Sequence, residues 1–142
     1  MDSWRRTALH EAGHAVAALT FAIPIISVSI DAATPHLHHA RYQPQHDAGL
    51  ETLAVMFLAG PSAEQLFCGS IEPGTDRFDL AMAREHLARR FAPLQIGAEM
   101  VHLRGSAEAL VRLPWAWQRI EVIANALLQR GTLSGTDIAA LG

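Results

Sequence analysis

The chain has 142 residues, of which 50% are hydrophobic and 18% charged, and its formal net charge is -3. That length is enough for one domain with a real hydrophobic core, and the composition excludes an intrinsically disordered chain. The slightly acidic balance excludes a general nucleic-acid binder, because Lys and Arg form no long run and the pair Arg89-Arg90 reads as a solvated helix end.

The first predicted element is a helix capped by Ser3 or Asp2 and running to about Phe21, with Ala8, Leu9, Ala12, Ala15, Val16 and Leu19 on its apolar side. Pro24 ends that pattern. "IISVSI" then alternates and is rich in β-branched residues, which predicts a strand; "DAATP" breaks it, and "HLHHARY" from His36 to Tyr42 returns as its partner. The apolar stretch Phe21 to Ile30 is too short to span a bilayer, so no membrane span is expected.

A second helix is expected to begin near Asp47 and carry "LETLAVMFLAGPSAEQLF". Pro61 in its middle removes the backbone bond to Phe57 and should kink or break it. "GSIEPG" from Gly69 to Gly74 reads as a loop, after which Thr75 or Asp76 caps a third helix, with Asp79 as a capping-box-like acid. Helical pattern continues from about Leu94 to Arg104 and from Ser106 to Arg130, the latter interrupted at Pro114, and "TLSGTDIAAL" closes the chain as a turn and a short capped helix. The expected fold is therefore a single domain over residues 1–142, mainly α with a small β-hairpin. Cys68 is the only cysteine, so no internal disulfide forms; with no N-terminal signal pattern, a reducing, cytoplasmic setting is expected.

The chemistry concentrates in "TALHEAGHAVAAL", Thr7 to Leu19. Residues four apart on a helix project from one face, so His10 and His14 can direct imidazole nitrogens at one metal ion, as zinc requires. Glu11 lies about 100 degrees round the helix from His10, beside the ion, where a general base for an activated water belongs. Ala12 and Gly13 are small enough to let another segment approach closely. A catalytic zinc site takes three protein ligands, so this pattern needs a third from elsewhere.

Later segments supply candidates. "LHEAGHAV", the "ISVSI" strand, "LAGPSAEQLFCG" and "DLAMAREHLARR" occur in the order found in the peptidase domain of the FtsH family of membrane-anchored, ATP-dependent zinc proteases, and "ALLQRGTLSGTDIAAL" is similar to that family's C-terminal segment. The resemblance covers nearly the whole chain. It implies an FtsH-type helical peptidase fold, Zn2+ held by His10 and His14, and Glu11 as catalytic base. It also implies an aspartate ligand at the start of the later helix. Asp79 fits best, since Asp79, Leu80 and Ala83 continue in register, but Phe78 occupies the position where the family usually places that aspartate, and Asp76 is the alternative third ligand. Glu64 matches the glutamate of the family's Ala-Glu segment and is expected near the site, accepting a hydrogen bond from a ligand histidine.

The resemblance further implies an endopeptidase acting on peptides or unfolded polypeptide, with substrate adding as an extended strand against His39, Ala40, Arg41 and Tyr42. "HLHH" (His36, His38, His39) reads as a surface hairpin before a second metal site, because in a strand His36 and His38 share a face while His39 points away. His86 is expected to be a structural histidine, and Trp115 and Trp117 to be core or subunit contacts. The sequence holds no GxxxxGK[ST] phosphate loop, and neither an ATPase module nor a membrane anchor is expected. A separate ATPase is therefore an expected partner, and a homo-oligomer an expected assembly, since family members work as hexameric rings. The competing expectation is a non-catalytic module of the same fold that binds peptides or regulates a partner.

Overall fold

Every residue from Ala8 to Ala18 is buried, so the first helix is enclosed on all sides and not laid on the surface with one wet face. The computed structural model describes residues 3–31, 35–39 and 47–141. The order of elements is α1 (Ser3–Thr20), β1 (Ile25–Ser29), β2 (His36–His39), α2 (Asp47–Cys68), α3 (Arg77–Ala88), α4 (Pro93–Arg112), α5 (Pro114–Arg130), β3 (Thr132–Ser134) and α6 (Gly135–Ala139). The architecture is mainly α with a small antiparallel sheet.

α1 packs chiefly against α2 and α5, and α2 in turn packs against α3 and α4. Small side chains make this layering close. A Cβ added to Gly13 would lie 2.6 Å from the Ala59 carbonyl oxygen and 2.7 Å from the Ala63 Cβ, so α1 and α2 touch almost backbone to backbone there. The apolar faces merge into one buried cluster that includes Leu9, Val16, Leu53, Leu58, Ile120 and Leu127. Beyond the end of α1, Ala22, with a φ of 55°, turns the chain in the left-handed region, and the Ile23 N–H donates to the Ala18 carbonyl at 2.8 Å.

β1 is the central strand, antiparallel to β2 on one side and β3 on the other. Val28 pairs with Leu37 and with Leu133, which puts β1's buried valine at the sheet's centre. Four local expectations are corrected here. The hairpin is a three-stranded sheet, because Thr132–Ser134, expected as a turn, pairs with β1; three residues are too few to reveal alternation. α2 is not broken at Gly60-Pro61 but continues to Cys68. An interior proline costs about 3 kcal/mol, and the packing of α2 against three helices offsets it. α4 likewise runs through the exposed Gly105, where a helical glycine costs only about 1 kcal/mol. Leu19, expected on the apolar side of α1, is 41% exposed at the helix end.

The Gly13 contact is testable. Gly13→Ala should destabilise the protein by about 1–3 kcal/mol in denaturant unfolding, despite alanine's better helix propensity, because the methyl group meets backbone that cannot rotate away.

Candidate metal centre

His10, Glu11 and His14 lie in the enclosed middle of α1, and all three are buried. Burying three polar groups on an otherwise Ala-rich helix is costly unless partners meet them. α2 and the start of α3 supply those partners. The His14 Nδ1 donates to the Met56 carbonyl oxygen at 2.8 Å. A carbonyl only accepts, so the proton of the neutral ring sits on Nδ1 and the Nε2 lone pair faces Asp79, 3.4 Å from its Oδ1.

His10 is held in the same sense. Its Nδ1 donates to Glu64 Oε1 at 2.8 Å, and its Nε2 lies 2.8 Å from Asp79 Oδ2. Burial opposes charging this ring, but hydrogen bonds to Asp79 and Glu64 outweigh burial and push its pKa up to about 10. As drawn, His10 is an imidazolium between two carboxylates. Burial likewise opposes ionising Asp79, yet the two histidines hold its carboxyl well below the usual range.

Glu64 is 1% exposed and still ionised. Against the cost of burial, the His10 hydrogen bond, the Glu72 backbone N–H at 2.6 Å and the Arg6 guanidinium at 2.9 Å bring its pKa down to about 2. Arg6 also donates to the Ser70 carbonyl oxygen at 3.0 Å, and the Thr75 hydroxyl donates to Glu64 Oε1 at 3.2 Å. The loop that leads into α3 is thereby tied to α1, and α3 begins where Asp79, in its first turn, faces the two imidazoles.

One ligand atom from each of His10, His14 and Asp79 can be chosen so that all lie within 4.8 Å of one another. The separation of His14 Nε2 from Asp79 Oδ1 matches the roughly 3.3 Å edge of a tetrahedron with metal–ligand bonds of about 2.0–2.1 Å. Two further observations fit a metal ion. A Cβ on Gly60 would fall 2.3 Å from His14 Nε2 and 2.9 Å from His10 Cδ2, so the α2 backbone is cut back where the two imidazoles sit. Glu11 Oε2 is buried without a hydrogen-bond partner among the described residues. Burial raises the Glu11 pKa.

The site opens into a pocket of about 430 Å³ lined by His10, Glu11, His14, Glu64 and Asp79 and by His36 and Leu37 of β2. Asp76 does not join the ligand group among the described residues; it is the N-cap residue of α3 and makes no side-chain cap hydrogen bond. Asp79, expected as a capping acid or a ligand, faces the histidines. The backbone of His39 pairs with Ile25, whereas Ala40, Arg41 and Tyr42 lie outside the described residues. His86 is half-buried and stacks on Phe57, with ring centroids 5.6 Å apart. Trp115 is 49% exposed and so is not a core residue. Gly60 was missed as a site residue, and only its position one turn after Met56 and beside a proline hinted at it.

Compared with known proteins, the chain matches no family model and no curated protein sequence. No helix among the described residues is long and apolar enough to cross a membrane.

Two outcomes follow from this geometry. Gly60→Ala should keep the helical content measured by circular dichroism but abolish binding of Zn2+ or Co2+ in a metal titration, since its methyl group would occupy the space at His14 Nε2. In chelator, the metal-free protein should lose stability on both sides of a window. The Glu64 contribution, present above the ordinary pKa of 4.5, is lost as pH falls toward 2. The His10 contribution, fully present below 6.5, is lost as pH rises to about 10. Denaturant midpoints across pH measure both limbs, and the acid limb should be shallower in Glu64→Gln.

Proposed function

We propose that this chain is a zinc-dependent endopeptidase, with His10, His14 and Asp79 as ligands and Glu11 as general base. The observation that carries the reading is the buried Glu11 carboxylate, with one oxygen unpartnered among the described residues, set beside the ligand group in a pocket that opens outward. A binding module of the same fold would have no use for that group, and leaving it buried costs about 1–3 kcal/mol. The ordered resemblance to the FtsH peptidase domain supports the same assignment.

Zinc bound there would supply Lewis-acid chemistry, acidifying water and polarising the scissile carbonyl. The work of the chain's own residues follows from their places. Glu11, with its raised proton affinity, accepts the proton of the attacking water and delivers it to the leaving amine nitrogen. Glu64 and the Met56 carbonyl lock the two imidazoles so that both Nε2 atoms stay aimed at one point. Asp79 would contribute the third donor, an oxygen beside two nitrogens, and offset the ion's charge. The proposed substrate is peptide or already unfolded polypeptide, with a separate ATPase as the proposed source of unfolded chains and a homo-oligomer as the proposed assembly.

Metal analysis and casein hydrolysis, wild type beside Glu11→Gln, test the reading. Both proteins should carry about one zinc, and hydrolysis should fall by at least about 10²–10⁴-fold in Glu11→Gln. Undiminished cleavage by the variant would remove Glu11 from the mechanism. A zinc-loaded wild type that cleaves nothing would point instead to the peptide-binding module.

A further inference from the structure

Phe78 is 67% exposed although the next residue, Asp79, is buried as part of the metal group. The family resemblance treats Phe78 only as a break in register, and nothing in the chemistry above uses it. Its ring lies 6.3 Å from that of Phe57, edge-on at 73°. Phe57 is itself held in place, stacked on His86 and 6.5 Å from the His14 ring. An aromatic wall therefore runs unbroken from a ligand histidine outward to an exposed phenylalanine. Phe78, Phe57, Pro35 and Leu37 all line the pocket that holds the metal group, so its polar floor carries apolar walls from both α3 and the β2 side.

We infer that Phe78 and Phe57 form an apolar seat beside the metal group, which takes a large apolar side chain of the polypeptide at one of the two residues flanking the bond to be cut. This rests on the peptidase reading for the nature of the occupant. Apolar surface gains by leaving water, and an exposed ring next to a reacting centre is where a substrate side chain gains most from covering it. A pocket of this size accommodates a dipeptide unit with one bulky side chain. Continuity with the metal group singles out substrate as the occupant, because a second copy seated on Phe78 would cover the route to Glu11.

The test uses the zinc-loaded protein and two probes, hydroxamates that differ only in a benzyl or a methyl side chain, titrated by calorimetry. Beside them, peptide pairs with Phe or Ala at the residues flanking the scissile bond are assayed for cleavage. The benzyl hydroxamate should bind at least about tenfold more tightly than the methyl one, a preference that shrinks to within about twofold in Phe78→Ala and persists in Phe78→Leu. Equal binding of the two probes by the wild type, or a benzyl preference unmoved by Phe78→Ala, overturns the seat. A benzyl preference without cleavage of either peptide supports the seat and sinks the peptidase reading. Cleavage with no preference in binding or turnover does the reverse. Blockage by self-association, seen as a dimer that dissociates in Phe78→Ala while the wild type binds neither probe, also overturns it.

Discussion

The rest of the site depends on one buried negative charge. Taking a carboxylate out of water costs several kcal/mol, and Glu64 is almost completely enclosed. That cost is met only because four donors converge on it: His10 and Arg6 from α1, and the Glu72 N–H and the Thr75 hydroxyl from the loop before α3. Charge-assisted bonds of this kind are each worth about 1.5–3 kcal/mol, so the assembled set can offset the burial. Glu64 thus ties α1, more than 50 residues away, to α2 and to the loop that follows α2. It orients His10 and places the loop from which Asp79 enters, so ligand geometry and local folding are one problem.

Close approach of α1 and α2 is the second condition, and it is apolar in origin. Gly13 lets the two backbones meet, and Gly60 clears space over the His14 and His10 rings. With any larger residue at either place, the His14 imidazole would stand off from the Met56 carbonyl that sets its tautomer. The enclosed position of α1 has a functional consequence as well. Groups buried at the middle of a packed helix lose little freedom when they bind an ion, because their rotamers are already set by neighbours. The exposed part of the pocket is different in kind, an apolar rim of Phe78 and Leu37 around a charged floor.

Much of this was legible in the residues. The spacing of His10, Glu11 and His14 needs only helix geometry to be read, and the helices themselves follow from periodic apolar positions. The hidden parts are those where tertiary packing overruled a local signal. Pro61 and Gly105 read as breaks but sit within continuous helices, because burial against neighbours outweighs their intrinsic penalties. Thr132–Ser134 reads as a turn and becomes a strand only because β1 offers it an edge. Gly60 looked like half of a Gly-Pro breaker, and nothing local to it says that two imidazoles lie across from its α-carbon.

By itself, then, the sequence determined a mainly helical chain with one helix that presents two histidines and a glutamate in fixed angular relation. Those features depend on interactions within a few residues, where the 3.6-residue period is sufficient. Tertiary structure alone set Asp79 and not Asp76 beside the two histidines, brought Glu64 to His10 across 54 residues and Asp79 to the same ring across 69, and set Phe78 at the rim. Such long-range meetings are chosen by how α1, α2 and the α3 loop pack around a charge that must be satisfied, and no local pattern encodes that choice.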